Sequence, residues 1–442
     1  MHYHFIAIGG AIMHNLALEL QANGHKVTGS DDEIFDPAKS RLEKAGLLPK
    51  TMGWLEDNIH SSLDAIILGM HAKADNPELL KVQKLGLKIY SFPDFVFEHS
   101  KNKTRVVIGG SHGKTTSTAM LMHVLLDQNI NFDYLVGSQI DGFERMVRLT
   151  EEAKIIIIEG DEYLTSALDP VPKFHKYHPH FSMITGIAWD HINVFPTFEG
   201  YVDQFEKFID MTMPEGHCYL FKEDKELQIM QPKFNLKSSF YNTPKYKESE
   251  NETTVRVESG EYSLDFFGEH NLQNAAGVQK LAKHIGVNEH DFWSSMQSFT
   301  GSARRMEKVV DTEELVIFRD FAHSPSKCKA TINAVCNKYK DREVIAVFEL
   351  HTYSSLRKDF IPHYADCFAK PHSSFILFDP HVLELKRMPM LDTAFIESEV
   401  PHTIAFDNAV KLKTKIDEEL KKSGAKVLLL MSSGTIGGEV FY

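Results

Sequence analysis

The run Ile108-Gly109-Gly110-Ser111-His112-Gly113-Lys114-Thr115-Thr116 constrains this chain more than any other stretch. Residues 105–108 read as the end of a buried strand, and 116–126 carry apolar residues at helical spacing. A glycine-rich strand-to-helix turn ending in Gly-Lys-Thr suits a polyphosphate. Its backbone N–H groups can approach the oxygens closely, and the helix N-terminus adds partial positive charge. Lys114 can reach the terminal phosphates, and the Thr115 hydroxyl can ligate Mg²⁺. The usual spacing would put a glycine at position 108, where this chain has Ile108, so the loop is shorter than common phosphate loops. The chain is expected to bind a nucleoside triphosphate, with Gly110, Ser111, His112, Gly113, Lys114, Thr115 and Thr116 around it.

Length and charge narrow the setting. At 442 residues the chain exceeds one core, and roughly 150 residues per domain suggests about three domains. No apolar run approaches the roughly 18 residues that span a bilayer, so no membrane insertion is expected. The start lacks a basic region and runs straight into a strand and a glycine turn, which does not read as a signal peptide. Cys218, Cys328, Cys336 and Cys367 are scattered without metal-type spacing. That pattern suits free thiols and a cytoplasmic location. A formal net charge of −13 argues against a nucleic-acid partner, because phosphate backbones need a basic surface. Anionic small substrates must then be met by local positive charge.

Three segments follow. In the first, a strand at 3–8 leads through Gly9-Gly10-Ala11 into a helix at about 13–23, and further strands lie at 26–29 and 65–68. This is a βαβ unit with an acidic residue, Asp31, where a ribose hydroxyl is commonly held. Ala11 and His14 occupy the other two glycine places of the dinucleotide fingerprint, which speaks against a nicotinamide dehydrogenase and leaves a nucleotide-sugar open. Residues 99–104 read as a polar linker. In the second segment, 154–158 is a strand buried on both faces, ending at Glu159-Gly160-Asp161-Glu162. Carboxylates there suit a Mg²⁺ ligand as well as they suit a solvated turn. The strand 181–187 precedes Asp190-His191, either a site pair or packed residues. Asn271 and Asn274 stand one helical turn apart, placed to meet a base edge or to cap a helix. In the third segment, strands at 315–318, 343–348, 375–378 and 426–431 alternate with helical stretches, with polar residues at their C-terminal ends.

These pieces in order — the Gly-x-His-Gly-Lys-Thr-Thr loop, Glu-x-Asp-Glu, Asp-His, His-Asn-x-x-Asn-Ala, Arg-Arg and Asp-x-Ala-His-x-Pro — resemble the Mur ligases of peptidoglycan metabolism over the whole chain. The resemblance implies an α/β fold of three domains, each on a mostly parallel sheet. These are a Rossmann-like UDP-sugar domain (1–100), a P-loop ATPase domain (101–300) and a Rossmann-like amine-substrate domain (301–442). It implies ATP-dependent activation of a carboxylate as an acyl phosphate, which an amine then attacks. Lys114 would clamp the phosphates. Thr115 and Glu159 would hold one Mg²⁺ and His191 a second, Asn271 and Asn274 would contact adenine, and Arg305, Asp320 and His323 would close over ATP. Gly9, Gly10, Met13, Ser30 and Asp31 fall where the family holds the UDP-sugar.

Within the family the chain is similar to the members that use UDP-N-acetylmuramate as acceptor. It follows the one adding L-alanyl-γ-D-glutamyl-meso-diaminopimelate at the first glycine turn, at Asp161-Glu162-Tyr163, at Ile192 to Pro196 and at Met431 to Gly434. Thr352 and Ser355 stand where the L-alanine-adding member has arginines, so the tripeptide is the expected amine and L-alanine the alternative. Arg357, Lys358 and His381 are the cations available for its carboxylates. Phe205 replaces the carbamylated lysine of several relatives, with Lys207 the nearest lysine, and Arg319 stands where relatives often have an acid.

Overall fold

The computed structural model describes residues 1–166, 168–192, 194–301 and 305–438. Asn193 of the Asp-His stretch and Arg304 of the Arg-Arg pair lie outside these. The chain divides into two compact units, Met1–Ile187 with Glu199–Tyr241 and Gly277–Val287, and Ala188–Phe198 with Asn242–Ala276 and Asn288–Tyr442.

The first unit holds two sheets. A four-stranded parallel sheet runs in the order Lys26–Ser30, His2–Ile6, Ala65–Leu68, Ile89–Ser91. Ala65–Leu68 is apolar at every position and buried at every position, as a strand covered on both faces must be. The other sheet has seven strands, in the order Ser238–Tyr241, His217–Phe221, Phe181–Ile184, Thr104–Gly109, Ile155–Glu159, Asp133–Leu135, Val147–Arg148. All its pairings are parallel except the last. The helix Ala11–Ala22 ties the two sheets: Glu19 accepts from the Leu149 N–H at 3.0 Å and Asn15 from the Met146 N–H at 3.0 Å.

Residues 99–104 are not a linker. They end the helix Phe92–Ser100 and begin the strand Thr104–Gly109. Their polarity is used inside the fold: buried Lys103 pairs with buried Asp133, and the Arg105 guanidinium donates to the Tyr177 and Ser100 carbonyls at 2.8 and 2.9 Å.

The second unit holds a three-stranded antiparallel sheet, Lys245–Glu248, Thr253–Val257 and Gly260–Leu264. It also holds a six-stranded sheet in the order Glu307–Asp311, Leu315–Asp320, Lys426–Met431, Glu343–Leu350, Ser373–Phe378, Ile404–Phe406. Only its first pairing is antiparallel. Arg319 faces Glu307 across that pairing. The fold is thus α/β, with three mostly parallel sheets as expected. All four cysteines are free thiols, and Cys218, Cys328 and Cys367 are buried. Among the described residues no helix is long and apolar enough to cross a membrane.

Candidate active site

The phosphate loop joins the strand Thr104–Gly109 to the helix Lys114–Asp127. Gly110 (φ 131°) and Gly113 (φ 73°) take left-handed backbone that only glycine adopts freely. A Cβ on Gly110 would lie 2.0 Å from Thr185 Oγ1. The loop is held by the neighbouring strand end: Ser111 N–H donates to the Gly186 carbonyl at 3.0 Å, and Thr185 Oγ1 donates to the His112 carbonyl. The cap residue is Gly113, which has no side chain to bond the first turn, as suits a helix start that receives phosphate.

Lys114 opens this helix. Its Nζ donates to the Gly110 carbonyl at 2.7 Å and to Glu162 Oε2 at 2.6 Å. Glu162 is buried, and its other oxygen accepts from Tyr201 OH at 3.3 Å, which in turn pairs with Ser111 Oγ at 2.8 Å. Burial alone would lower the Lys114 pKa, but Glu162, then Asp161 and Glu159, hold it above the ordinary value. Asp161 is half-buried beside Lys173, whose Nζ is 2.6 Å away and, against the cost of partial burial, keeps the carboxyl below the usual range.

Thr115 Oγ1 donates to Glu159 Oε1 at 2.7 Å, and Glu159 Oε2 accepts the Gly137 N–H at 2.8 Å. A hydroxyl beside a carboxylate is a hard-oxygen donor pair of the kind Mg²⁺ takes. Among the described residues no group of three or more His, Cys, Asp and Glu side chains gathers to hold a metal. A divalent ion at Thr115 and Glu159 would therefore complete its shell with nucleotide oxygens and water.

The second unit carries the remaining candidates. His191 has φ 54°, and its N–H is held by Asp190 Oδ1 at 2.8 Å. Asp320 accepts from Met306 N–H (2.8 Å), Ala322 N–H (2.7 Å) and Thr331 Oγ1 (3.2 Å). The Arg305 guanidinium lies 5.5 Å from the centre of the Phe321 ring. His323 pairs its Nδ1 with the Phe321 carbonyl at 2.9 Å. Burial and nearby Lys327 lower its pKa to about 3, leaving a neutral imidazole. Asn271 and Asn274 are buried near the start of the helix Glu269–His284, and Asn271 Nδ2 donates to the Phe267 carbonyl at 2.8 Å. That bond ties the helix start to the preceding backbone and is not a cap, in which a side-chain oxygen would accept a backbone N–H.

In the first unit the helix Ala11–Ala22 begins at Gly10 without a side-chain cap, and Met13 is buried. Ser30 and Asp31 are both hydrogen-bonded within the fold. The Ser30 hydroxyl turns to buried Glu78, and Asp31 Oδ2 accepts the Gly9 N–H at 2.7 Å. Burial lifts Asp31 to about 6. Lys207 is a surface residue paired with Asp203 at 2.6 Å, while Phe205 is in the core. Arg357 is already engaged by Asp359 through its Nε at 2.9 Å, Lys358 lies 5.3 Å over the Phe395 ring, and His381 is exposed. Glu162, Glu349 and Lys327 emerge only from the structure. Glu162 lies in the acidic turn that follows the strand 154–158, but nothing in the pattern singles it out from its neighbours.

Residues 2–104 match the Mur ligase family, catalytic domain, and residues 108–282 match the Mur ligase middle domain. The UDP-N-acetylmuramate–L-alanine ligase of Lactobacillus delbrueckii subsp. bulgaricus is 31% identical over 384 residues, 84% of this chain and 83% of that one. Among solved structures, the UDP-N-acetylmuramate-alanine ligase of Thermotoga maritima superposes with a TM-score of 0.71 at 21% identity, over 99% of this chain and 96% of the other. The murein peptide ligase of Psychrobacter arcticus gives 0.68 at 22%, over 99% and 97%. The chain belongs to the Mur ligase family. It is an ATP-dependent amide-bond ligase of peptidoglycan synthesis.

Proposed function

We propose that this ligase joins the lactyl carboxylate of UDP-N-acetylmuramate to an amino group. The γ-phosphoryl of ATP passes to the carboxylate, releasing ADP and leaving an acyl phosphate. The amine attacks its carbonyl carbon, phosphate departs, and the amide remains. The observation that carries this reading is the pairing of Lys114 with Glu162 and Thr115 with Glu159 at one uncapped helix end. It aims a cation and a hard-oxygen pair at the same phosphates. Mg²⁺ held by Thr115 and Glu159 would offset phosphate charge, and His191 would serve a second ion. Asn271 and Asn274 take the adenine, while Arg305, Asp320 and His323 serve the nucleotide from the C-terminal domain. Domains 1–100, 101–300 and 301–442 divide the UDP-sugar, ATP and amine among them. Gly9, Gly10 and Met13 meet the UDP-sugar, with Ser30 and Asp31 acting through the loop they brace. The reaction takes place in the cytoplasm.

L-Alanine is the amine that the curated relatives support, since their names carry it over more than four-fifths of this chain. This favours L-alanine over the tripeptide that the motifs led us to expect. One observation keeps the tripeptide as a second reading. Thr352 and Ser355 bond to each other at 3.0 Å, and Ser355 is fully buried, so neither offers a cation to a small amino acid's carboxylate. Arg357, Lys358 and His381 would then serve the longer amine. Phosphate release with UDP-N-acetylmuramate decides, comparing kcat/KM for L-alanine and for L-alanyl-γ-D-glutamyl-meso-diaminopimelate. A tenfold preference for either names the amine, and release with neither removes the proposal.

A further inference from the structure

His191 sits in a left-handed conformation (φ 54°) that a residue with a side chain holds only when its surroundings impose it. Three hydrogen bonds impose it here. Asp190 Oδ1 accepts the His191 N–H at 2.8 Å, and the His191 carbonyl accepts the Val194 and Phe195 N–H groups at 2.8 and 2.9 Å. The first is only as firm as the Asp190 carboxylate. Asp190 is 6% exposed, and a charge so buried needs a partner. Its Oδ2 lies 3.6 Å from Lys327 Nζ.

Lys327 is an unexpected residue at its own position. It stands in the first turn of the helix Pro325–Lys338, where the helix field disfavours a cation. Its side chain is only 17% exposed, so water does little to relieve that. The ammonium is stabilised instead by Asp190 and by His323 Nε2, 3.4 Å away, whose ring is fixed by the Phe321 carbonyl on Nδ1. One lysine thus joins two stretches, Asp190-His191 and Asp320 to His323, that lie far apart in the chain.

We propose that Lys327 is a positioning residue. By pinning Asp190 it keeps His191 in the left-handed conformation and so sets the direction of the imidazole. This rests on the reading of His191 as the residue facing the second Mg²⁺. Lys327→Met removes the charge and keeps the stem, whereas Lys327→Arg keeps the charge. Hydrogen exchange of the 188–195 segment reports the conformation without any turnover, and steady-state kinetics report its use.

For Lys327→Met we expect exchange at the His191, Val194 and Phe195 amides to rise at least tenfold. We expect kcat to fall at least tenfold, with KM for ATP within twofold of wild type. Lys327→Arg should return both to within threefold. Asp190→Asn should reproduce the Met variant, and the double variant should be no worse than either single one. Native exchange in the Met variant overturns the proposal, as does raised exchange with an unchanged kcat. A loss of kcat with native exchange also overturns it, because Lys327 would then act on substrate directly. If Lys327→Met fails to fold, Asp190→Asn carries the same test. His191→Ala is assayed alongside: full activity there removes the metal-facing reading of His191, while the exchange result still judges what holds its backbone.

Discussion

Lys114 Nζ and Glu162 Oε2 stand 2.6 Å apart, so the lysine aimed at the nucleotide is also the counter-ion of a carboxylate that is 1% exposed. Deleting one member of a buried pair leaves the other uncompensated and costs ~3–5 kcal/mol. Lys114→Ala should therefore lower the melting temperature as well as the rate. Lys114→Met combined with Glu162→Gln should recover most of the stability and none of the activity, with phosphate release down ~10³-fold. Thermal unfolding and phosphate release on both variants check this. Near-normal turnover in either would remove Lys114 from the chemistry.

Thr115 and Glu159 form the other half of the loop's machinery. Glu159→Gln keeps an acceptor for the Gly137 N–H but loses the charge. Calorimetry should show MgATP binding weakened at least tenfold, on the order of 1.4 kcal/mol, with metal-free ATP binding unchanged. Equal losses with and without Mg²⁺ would mean that Glu159 only shapes the loop.

Acid should loosen the second unit before most surface carboxylates matter. His323 is held at about 3, against 6.5 for an ordinary imidazole, by burial and by Lys327. Between those values the unfolded chain takes up a proton that the folded chain refuses. Stability is therefore complete above pH 6.5 and falls as pH drops towards 3, by up to ~1.4 kcal/mol per pH unit from this group. Asp190, whose pKa is depressed despite burial by Lys327 and His191, adds its loss only below about pH 4, the ordinary carboxylate range. Denaturant titrations at pH 7, 6 and 5 should show the decline, and His323→Gln should flatten it.

Glu349 organises a loop from a distance. Its buried carboxylate accepts the Ile436 and Gly437 N–H groups at 3.0 Å each, and the Ser432 hydroxyl as well. Glu349→Ala strands two backbone donors, each costing ~1–3 kcal/mol when unsatisfied. We expect a lower melting temperature and rapid hydrogen exchange confined to residues 432–438. An unchanged exchange pattern would refute this assignment.

The readable parts of the fold were those where burial leaves a one-dimensional trace. Ala65–Leu68 and residues 427–431 are continuous apolar runs, and both strands fall where those runs lie. The phosphate loop was equally plain, because its glycines, lysine and threonine are contiguous. The hairpin sheet from Lys245 to Leu264 left little trace, since Lys-Tyr-Lys-Glu alternates too weakly to mark a buried face. The bond from Ser30 to Glu78 left no trace in the local pattern, because the two are 48 residues apart. Glu349 and Lys327 escaped notice for the same reason: their partners are brought near by topology, not by spacing.

The bracing of the phosphate loop by Thr185 and Gly186 has a kinetic meaning. A cradle whose backbone is already bonded to a neighbouring strand end has little ordering left to undergo when nucleotide arrives. Association should then be a single step at ~10⁵–10⁷ M⁻¹s⁻¹, linear in ATP concentration. Stopped-flow traces should show no plateau from a slow isomerisation. Differences in affinity among nucleotides would consequently be written in how fast each one leaves.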